Sequence, residues 1–309
     1  MQNFNEIYTI VKPLGSQSKR KFGKVFLIQN KITGEFAVLK SLVKENHNLN
    51  LQDRLNKEAE FSFDFPGLPK TIDLIETKTE IHLIKSYSEG IPLDEYWRLT
   101  KTKNRKSSLL EILTKLFVLL DLLQKQQIVN CDIKPSNIII NNKNDQIEVA
   151  LIDFGMALKT TDLNKRKTLF PLGYAAPELL LNHLDIIDHR TDQFSLGILI
   201  WKLFTDKLPL THPNPSIFTN LQLTHPLPDH AELPKGYYSI LLKMCNKHQF
   251  RTAPNLISLE EQIECLRDGM NGRFNSFDDI LHTFRNISKP KKIHLVLKEI
   301  FTKSKIKAK

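Results

Sequence analysis

Asp132, Lys134, Asn137 and Asp153 bring two carboxylates, an ammonium and an amide into the stretch 132–153. They stand in two runs, Asn130-Cys131-Asp132-Ile133-Lys134-Pro135-Ser136-Asn137 and Leu151-Ile152-Asp153-Phe154-Gly155. Phosphoryl transfer needs such a set. A carboxylate accepts the proton of an attacking hydroxyl, a cation sits near the moving phosphate, and carboxylate or amide oxygens hold magnesium. Magnesium takes hard oxygen ligands and keeps few protein ones, which one Asp and one Asn satisfy. A third segment, Tyr174-Ala175-Ala176-Pro177-Glu178, follows downstream.

The elements that must position these groups fall into two patterns. The first hundred residues read as strand-rich, with short β-type runs at Tyr8–Val11, Val25–Ile28, Phe36–Leu39, Thr71–Ile75 and Glu80–Ile84. Thr33-Gly34 marks a hairpin turn, and Leu51, Leu55 and Ala59 recur at helical spacing. Beyond residue 108 the pattern turns helical, with Leu109–Gln126 and Gln193–Phe204 as the strongest segments. Thr100–Ser108 is polar and basic and reads as a loop. So does Leu208–Gly236, where six prolines argue against regular structure. The chain of 309 residues suits about two domains or lobes. The expectation is an α+β molecule: a small antiparallel β lobe over 1–86, a larger α lobe over 87–288 and a basic tail over 289–309.

Composition excludes some classes. Apolar residues make up 41% and charged residues 25%, as in a soluble globular protein rather than a disordered or collagen-like one. Three cysteines without paired spacing argue against a disulfide framework or a zinc site and favour a reducing compartment. No basic segment leads into an apolar run at the start, so no ordinary secretory signal is expected. Lys plus Arg at 44 against Asp plus Glu at 34 gives a net charge of +10, which favours anionic partners without choosing among them.

With the motifs in this order, the chain resembles the eukaryotic-type serine/threonine protein kinase family. Asp132, Lys134 and Asn137 keep the register of the family's catalytic loop, His-Arg-Asp-Leu-Lys-x-x-Asn. Asp153-Phe154-Gly155 matches its magnesium-binding triplet, and Ala176-Pro177-Glu178 the triplet that closes the activation segment. Asp192-Gln193-Phe194-Ser195-Leu196-Gly197 resembles the start of its long buried helix. The resemblance implies a bilobal kinase fold and transfer of the γ-phosphate of ATP to Ser/Thr hydroxyls of a protein substrate, with magnesium. It assigns Asp132 as catalytic base, Lys134 as phosphate-contacting cation, and Asn137 and Asp153 as metal ligands. Lys40, in Phe36-Ala37-Val38-Leu39-Lys40, then pairs with the α- and β-phosphates and needs a helix carboxylate. Glu58 is the choice for it, with Glu60 as the rival. Val25 and Val38 line the adenine ceiling, Ile139 forms part of the floor, and Ser86, Tyr87 and Ser88 meet the nucleotide at the joint between lobes. Glu178 is held by a later Arg, with Arg273 as the better fit and Arg251 as the alternative.

The chain departs from the family at informative places. Gly15 and Gly23 bound a longer glycine-rich loop without a central glycine, in which Lys19, Arg20 and Lys21 offer charge to phosphate or to solvent. Cys131 replaces the loop Arg that pairs with a phosphate on the activation segment, so activity is expected not to depend on phosphorylation there. Asn130 stands for the His that braces the Asp-Phe-Gly backbone. Pro171 replaces a Thr that hydrogen-bonds near the catalytic Asp, a bond proline cannot make. Lys85, at the usual position of an apolar residue, must find a partner or reach solvent. The altered loop, Asn130 and Pro171 support a second reading, a kinase-fold scaffold with little catalysis. A small-molecule kinase is disfavoured by Lys134 and Ala-Pro-Glu, and a nucleic-acid partner by the lack of an aromatic-basic motif. The lysine-rich tail could dock on an acidic partner or an anionic membrane. Richness in Lys, Asn and Ile suits a bacterial member, placed in the cytoplasm or acting as an effector in a host cytosol. The oligomeric state is left open.

Overall fold

A computed structural model describes residues 4–15, 23–45, 48–143, 146–162, 170–248, 250 and 254–288. The expectations for Lys19–Lys21, Thr168, Arg251 and the tail 289–309 lie outside the described residues.

The first half begins with a short helix, α1 (Phe4–Ile7), and the strands β1 (Tyr8–Pro13), β2 (Lys24–Asn30) and β3 (Phe36–Val43). Helix α2 (Leu49–Glu60) follows, then β4 (Thr71–Glu76) and β5 (Glu80–Ser86). The five strands form one antiparallel sheet in the order β1-β2-β3-β5-β4. The turn expected at Thr33-Gly34 is present: Gly34 has φ +73°, and Asn30 Oδ1 accepts the N–H groups of Ile32 and Thr33. β3 runs on to Val43, past the apolar run Phe36–Leu39, because its polar residues still pair on both sides. Side chains directly opposite in a ladder share a face of the sheet. Lys40 lies opposite Val25 and Leu83, and Val38 opposite Leu27 and Lys85. Val25, Val38, Lys40 and Lys85 therefore occupy one face.

The second half opens with β6 (Ile91–Pro92), α3 (Leu93–Leu99), α4 (Arg105–Lys125) and β7 (Ile128–Val129). β8 (Ile138–Lys143), β9 (Gln146–Leu151) and β10 (Leu158–Lys159) follow, then α5 (Pro177–Leu180) and α6 (His189–Thr205). The remaining described helices are α7 (Pro215–Thr224), α8 (Tyr237–Met244), α9 (Leu259–Asn271) and α10 (Phe277–Ser288). Two small sheets, β6-β8-β9 and β10-β7, carry the loops that hold the motifs. The molecule is bilobal and α+β, as expected.

Helix α4 buries eight apolar residues, among them Leu109, Ile112, Leu116 and Leu123. Each is worth roughly 1.5–3 kcal/mol against exposure. Helix α6 is buried on nearly all sides from Thr191 to Trp201, which accounts for its even run of apolar residues. Asp188 caps it, its side chain accepting the N–H of Arg190.

Two loop expectations are corrected. Within Thr100–Ser108, a 3-10 turn at Thr102–Asn104 leads straight into α4, which begins at Arg105. Its exposed first turn carries polar residues without losing the helix. Within Leu208–Gly236, α7 forms despite the prolines, because Pro215 occupies the first turn, where its missing N–H costs nothing. Asn214 caps this helix, its side chain accepting from Ser216 and Ile217.

Candidate active site

Lys40 and Glu58 meet on the shared sheet face, at 2.5 Å, with the Glu58 side chain 4% exposed. Glu58 is the α2 carboxylate that points at the sheet, whereas Glu60 is exposed. Lys40 Nζ also lies 3.4 Å from Asp153 Oδ1. Burial works against the Lys40 ammonium, but the Asp153 and Glu58 carboxylates outweigh it and hold its pKa above the ordinary value. For Asp153, burial is likewise outweighed by Lys40 and Arg54, so its carboxyl sits well below the usual carboxylate range.

Asp153 follows β9 and adopts a left-handed backbone with φ +68°. Its Oδ1 accepts the N–H of Gly155 at 3.1 Å. Its backbone oxygen accepts from Asn130 Nδ2 at 3.3 Å, the brace expected when Asn stands for His. Phe154 is fully buried, its ring 4.9 Å from that of Phe63 and 6.0 Å from that of Phe61.

The catalytic-loop motif spans the turn between β7 and β8. Asp132 is buried, and its Oδ2 accepts from Lys134 Nζ at 2.6 Å and from Asn137 Nδ2 at 3.0 Å. Burial raises its pKa, and Lys134 opposes that shift. Asn137 Nδ2 donates a second bond to the Asp132 backbone oxygen at 2.9 Å. Its amide nitrogen is thus committed to Asp132, which leaves the amide oxygen as the group for a cation. A hard oxygen from Asn137 and an ionised carboxylate from Asp153 fit magnesium, which completes its shell with water and phosphate oxygens. Among the described residues no cluster of three or more His, Cys, Asp or Glu could hold a metal ion by itself.

The expected nucleotide-contacting residues lie around these groups. Gly15 lies just past the end of β1, and Gly23 precedes β2 with φ +83°. A Cβ on Gly23 would sit 2.5 Å from the Ser41 carbonyl oxygen, so the close approach of β2 and β3 requires glycine. Ile139 is buried on β8, opposite Ala150. Ser86, Tyr87 and Ser88 run from the end of β5 toward β6. Ser86 Oγ accepts the Lys70 N–H at 2.9 Å, and the Tyr87 ring meets Phe36 edge-on.

The roles of Arg54 and Asp192 were not read from sequence, whereas the pairing of Arg273 with Glu178 is the one preferred there. Arg54, one helical turn before Glu58, reaches to 3.8 Å from Asp153 Oδ1. Its guanidinium passes over Gly155, where a Cβ would lie 2.5 Å from Nε. The i, i+4 spacing from Arg54 to Glu58 was the available signal. Asp192, the first motif residue of α6, accepts the N–H groups of both Asn130 and Cys131, at 2.8 and 2.9 Å. Burial pushes its carboxyl up to about 7. Cys131 is buried with φ +61°, and its Sγ donates to the Val129 carbonyl oxygen at 3.6 Å, inside the loop. Arg273 holds Glu178 by two hydrogen bonds, at 2.6 and 3.0 Å, with both side chains nearly inaccessible. Thr191 adds a bond to Glu178 at 2.9 Å. Lys85 finds its partner inside: Nζ donates to the backbone oxygens of Phe61 at 2.7 Å and Glu58 at 3.1 Å. Burial pushes its ammonium down to about 8.

Comparison with known proteins bears on this arrangement. The protein kinase domain family matches residues 8–257. An Aurora kinase of Saccharomyces cerevisiae is 29% identical over 208 residues, which are 65% of this chain and 54% of that protein. An Aurora kinase of Eremothecium gossypii is 27% identical over 236 residues, 73% of this chain and 60% of that protein. The serine/threonine-protein kinase ATG1c of Arabidopsis thaliana is 26% identical over 211 residues, 66% of this chain but 27% of that protein. The chain thus spans about half the length of the first relative and about a quarter of the last. The family match ends before α9 and α10, yet the Arg273 that holds Glu178 lies beyond it.

Proposed function

The chain belongs to the protein kinase domain family, and on that premise we propose that it transfers the γ-phosphate of ATP to serine and threonine hydroxyls of protein substrates. The observation that carries this reading is the buried Asp132 carboxylate, oriented by Lys134 and Asn137 beside a formed Lys40–Glu58 pair. Asp132 accepts the proton of the attacking hydroxyl. Lys134 steadies that carboxylate and faces the moving phosphate. Lys40, held by Glu58, positions the remaining phosphates, and Val25, Val38 and Ile139 enclose the base, with Ser86–Ser88 at its edge. Asn137 and Asp153 would hold magnesium, which neutralises phosphate charge when bound. The lobes divide after Ser86, with 87–288 as the larger one and 289–309 as a basic tail suited to an acidic partner or an anionic surface.

The activity does not require a phosphate on the activation segment. Cys131 is buried and offers no cation to such a phosphate. The three cysteines, none of them in a disulfide, fit a reducing cytoplasm. No described helix is long and apolar enough to cross a membrane.

The test is transfer of labelled γ-phosphate from ATP with magnesium, on the purified chain and on generic protein substrates. Label on Ser or Thr is expected for the parent and for the combined Thr160, Thr161 and Thr168 alanine variant, and is lost in Asp132→Ala and Asp153→Ala. Nucleotide binding without transfer would favour the scaffold reading. Transfer that vanishes in the triple-alanine variant would contradict phosphate independence.

A further inference from the structure

Lys85 stands on the inward face of β5, opposite Val38, and only 3% of it is exposed. A buried ammonium needs partners, and here they are main-chain oxygens: Glu58 O within α2 and Phe61 O just past its end. The last carbonyls of a helix have no partner within it and carry its negative end, so a cation there satisfies both the hydrogen bonds and the dipole. The two acceptors belong to residues that matter to the site. Glu58 carries the carboxylate paired with Lys40. Phe61 packs its ring on Phe154, next to Asp153. One side chain thus ties β5 to the end of α2, to the partner of Lys40 and to the ring beneath the metal-ligating loop.

We propose that Lys85 is a positioning residue: its ammonium anchors the C-terminal end of α2 to the sheet and so keeps Glu58 within reach of Lys40. This rests on the kinase reading, and it adds how α2 is held. The helix is fixed from inside the small lobe, which suits a chain whose Cys131 can read no activation-segment phosphate. Lys85 touches neither phosphate nor base in this role.

The experiment is hydrogen exchange of the α2 amides in the full chain without nucleotide, for the parent, Lys85→Met and Lys85→Arg. Met keeps the length and apolar stem but no donor, whereas Arg keeps donors and charge. Exchange over 55–61 is expected to speed up at least about tenfold in Lys85→Met, with little change elsewhere, and to stay slow in Lys85→Arg. ATP-dependent transfer is measured beside it, with and without Glu58→Gln. Lys85→Met should lower kcat/KM for ATP about tenfold alone and add nothing when Glu58 is already Gln. Unchanged α2 exchange in the Met variant, or equal loss in Met and Arg, overturns the anchor. Equal activity losses in both Glu58 backgrounds would assign Lys85 to general stability and overturn the positioning role. A parent without any transfer, but with the α2 response intact, would defeat the kinase reading and leave the anchor standing.

Discussion

At the scale of single residues, the site is a set of charges that hold one another. Lys40 lies between Glu58 and Asp153, and Asp132 between Lys134 and Asn137. Each pairing is local chemistry, but which carboxylate serves Lys40 depends on helix phase. Glu58 faces the sheet, while Glu60, two positions on, faces solvent. Substituting the two should therefore give unequal results. Glu58→Gln should lower kcat/KM at least about tenfold, and Glu60→Gln should stay within about twofold. Steady-state kinetics on both variants checks this, and a larger loss in Glu60→Gln than in Glu58→Gln would return the choice to Glu60.

At the scale of elements, the part of the chain beyond the family match completes the large lobe. Helix α10 buries Phe277, Ile280, Leu281 and Phe284 in the same core as α4 and α8. Just before it stands Arg273, whose loss would leave the Glu178 carboxylate buried and unpaired, at a cost of roughly 3–5 kcal/mol. A chain cut after residue 257 removes the pair and the helix together. It is expected to lose cooperative unfolding, whereas a chain ending at 288 should keep a sharp transition. Differential scanning calorimetry separates the two, and a cooperative 1–257 fragment would show that α9 and α10 are accessory.

At the scale of the whole molecule, stability varies with pH wherever folded and unfolded chains bind different numbers of protons. Lys247 illustrates the sign. It donates to the Gln222 carbonyl oxygen from a half-buried position, and desolvation pushes its ammonium down to about 8 from 10.5. Between those values the unfolded chain holds more protons at this site, so the contribution rises with pH and is lost as pH falls through about 8. The neighbouring Cys245 thiol, pushed up to about 12 by burial, acts oppositely and interacts electrostatically with Lys247. The parent should therefore gain on the order of 1 kcal/mol relative to Lys247→Met between pH 8 and 10 in urea unfolding. A pH-independent difference between the two would mean that Lys247 is no more perturbed in the fold than in the unfolded chain.

The sequence by itself determined the order of the motifs, the acid, cation and amide of the catalytic loop, the five-strand pattern of the small lobe and the two long core helices. These are legible because they are short-range: a motif keeps its register within a few residues, and strand alternation and helical spacing repeat locally. The choice of Glu58 over Glu60, the return of Arg273 to Glu178, the two loop N–H bonds to Asp192 and the inward turn of Lys85 were decided by tertiary structure. Each joins groups far apart in the chain, and burial supplies the reason. A polar group taken from water must be met by whichever partner the packing of elements brings near it. The same logic explains α7 and the first turn of α4. Prolines and lysines read as a loop until capping and packing give a helix a place to form. What the sequence carried was the chemistry; which groups meet was decided by the way the two lobes fold around it.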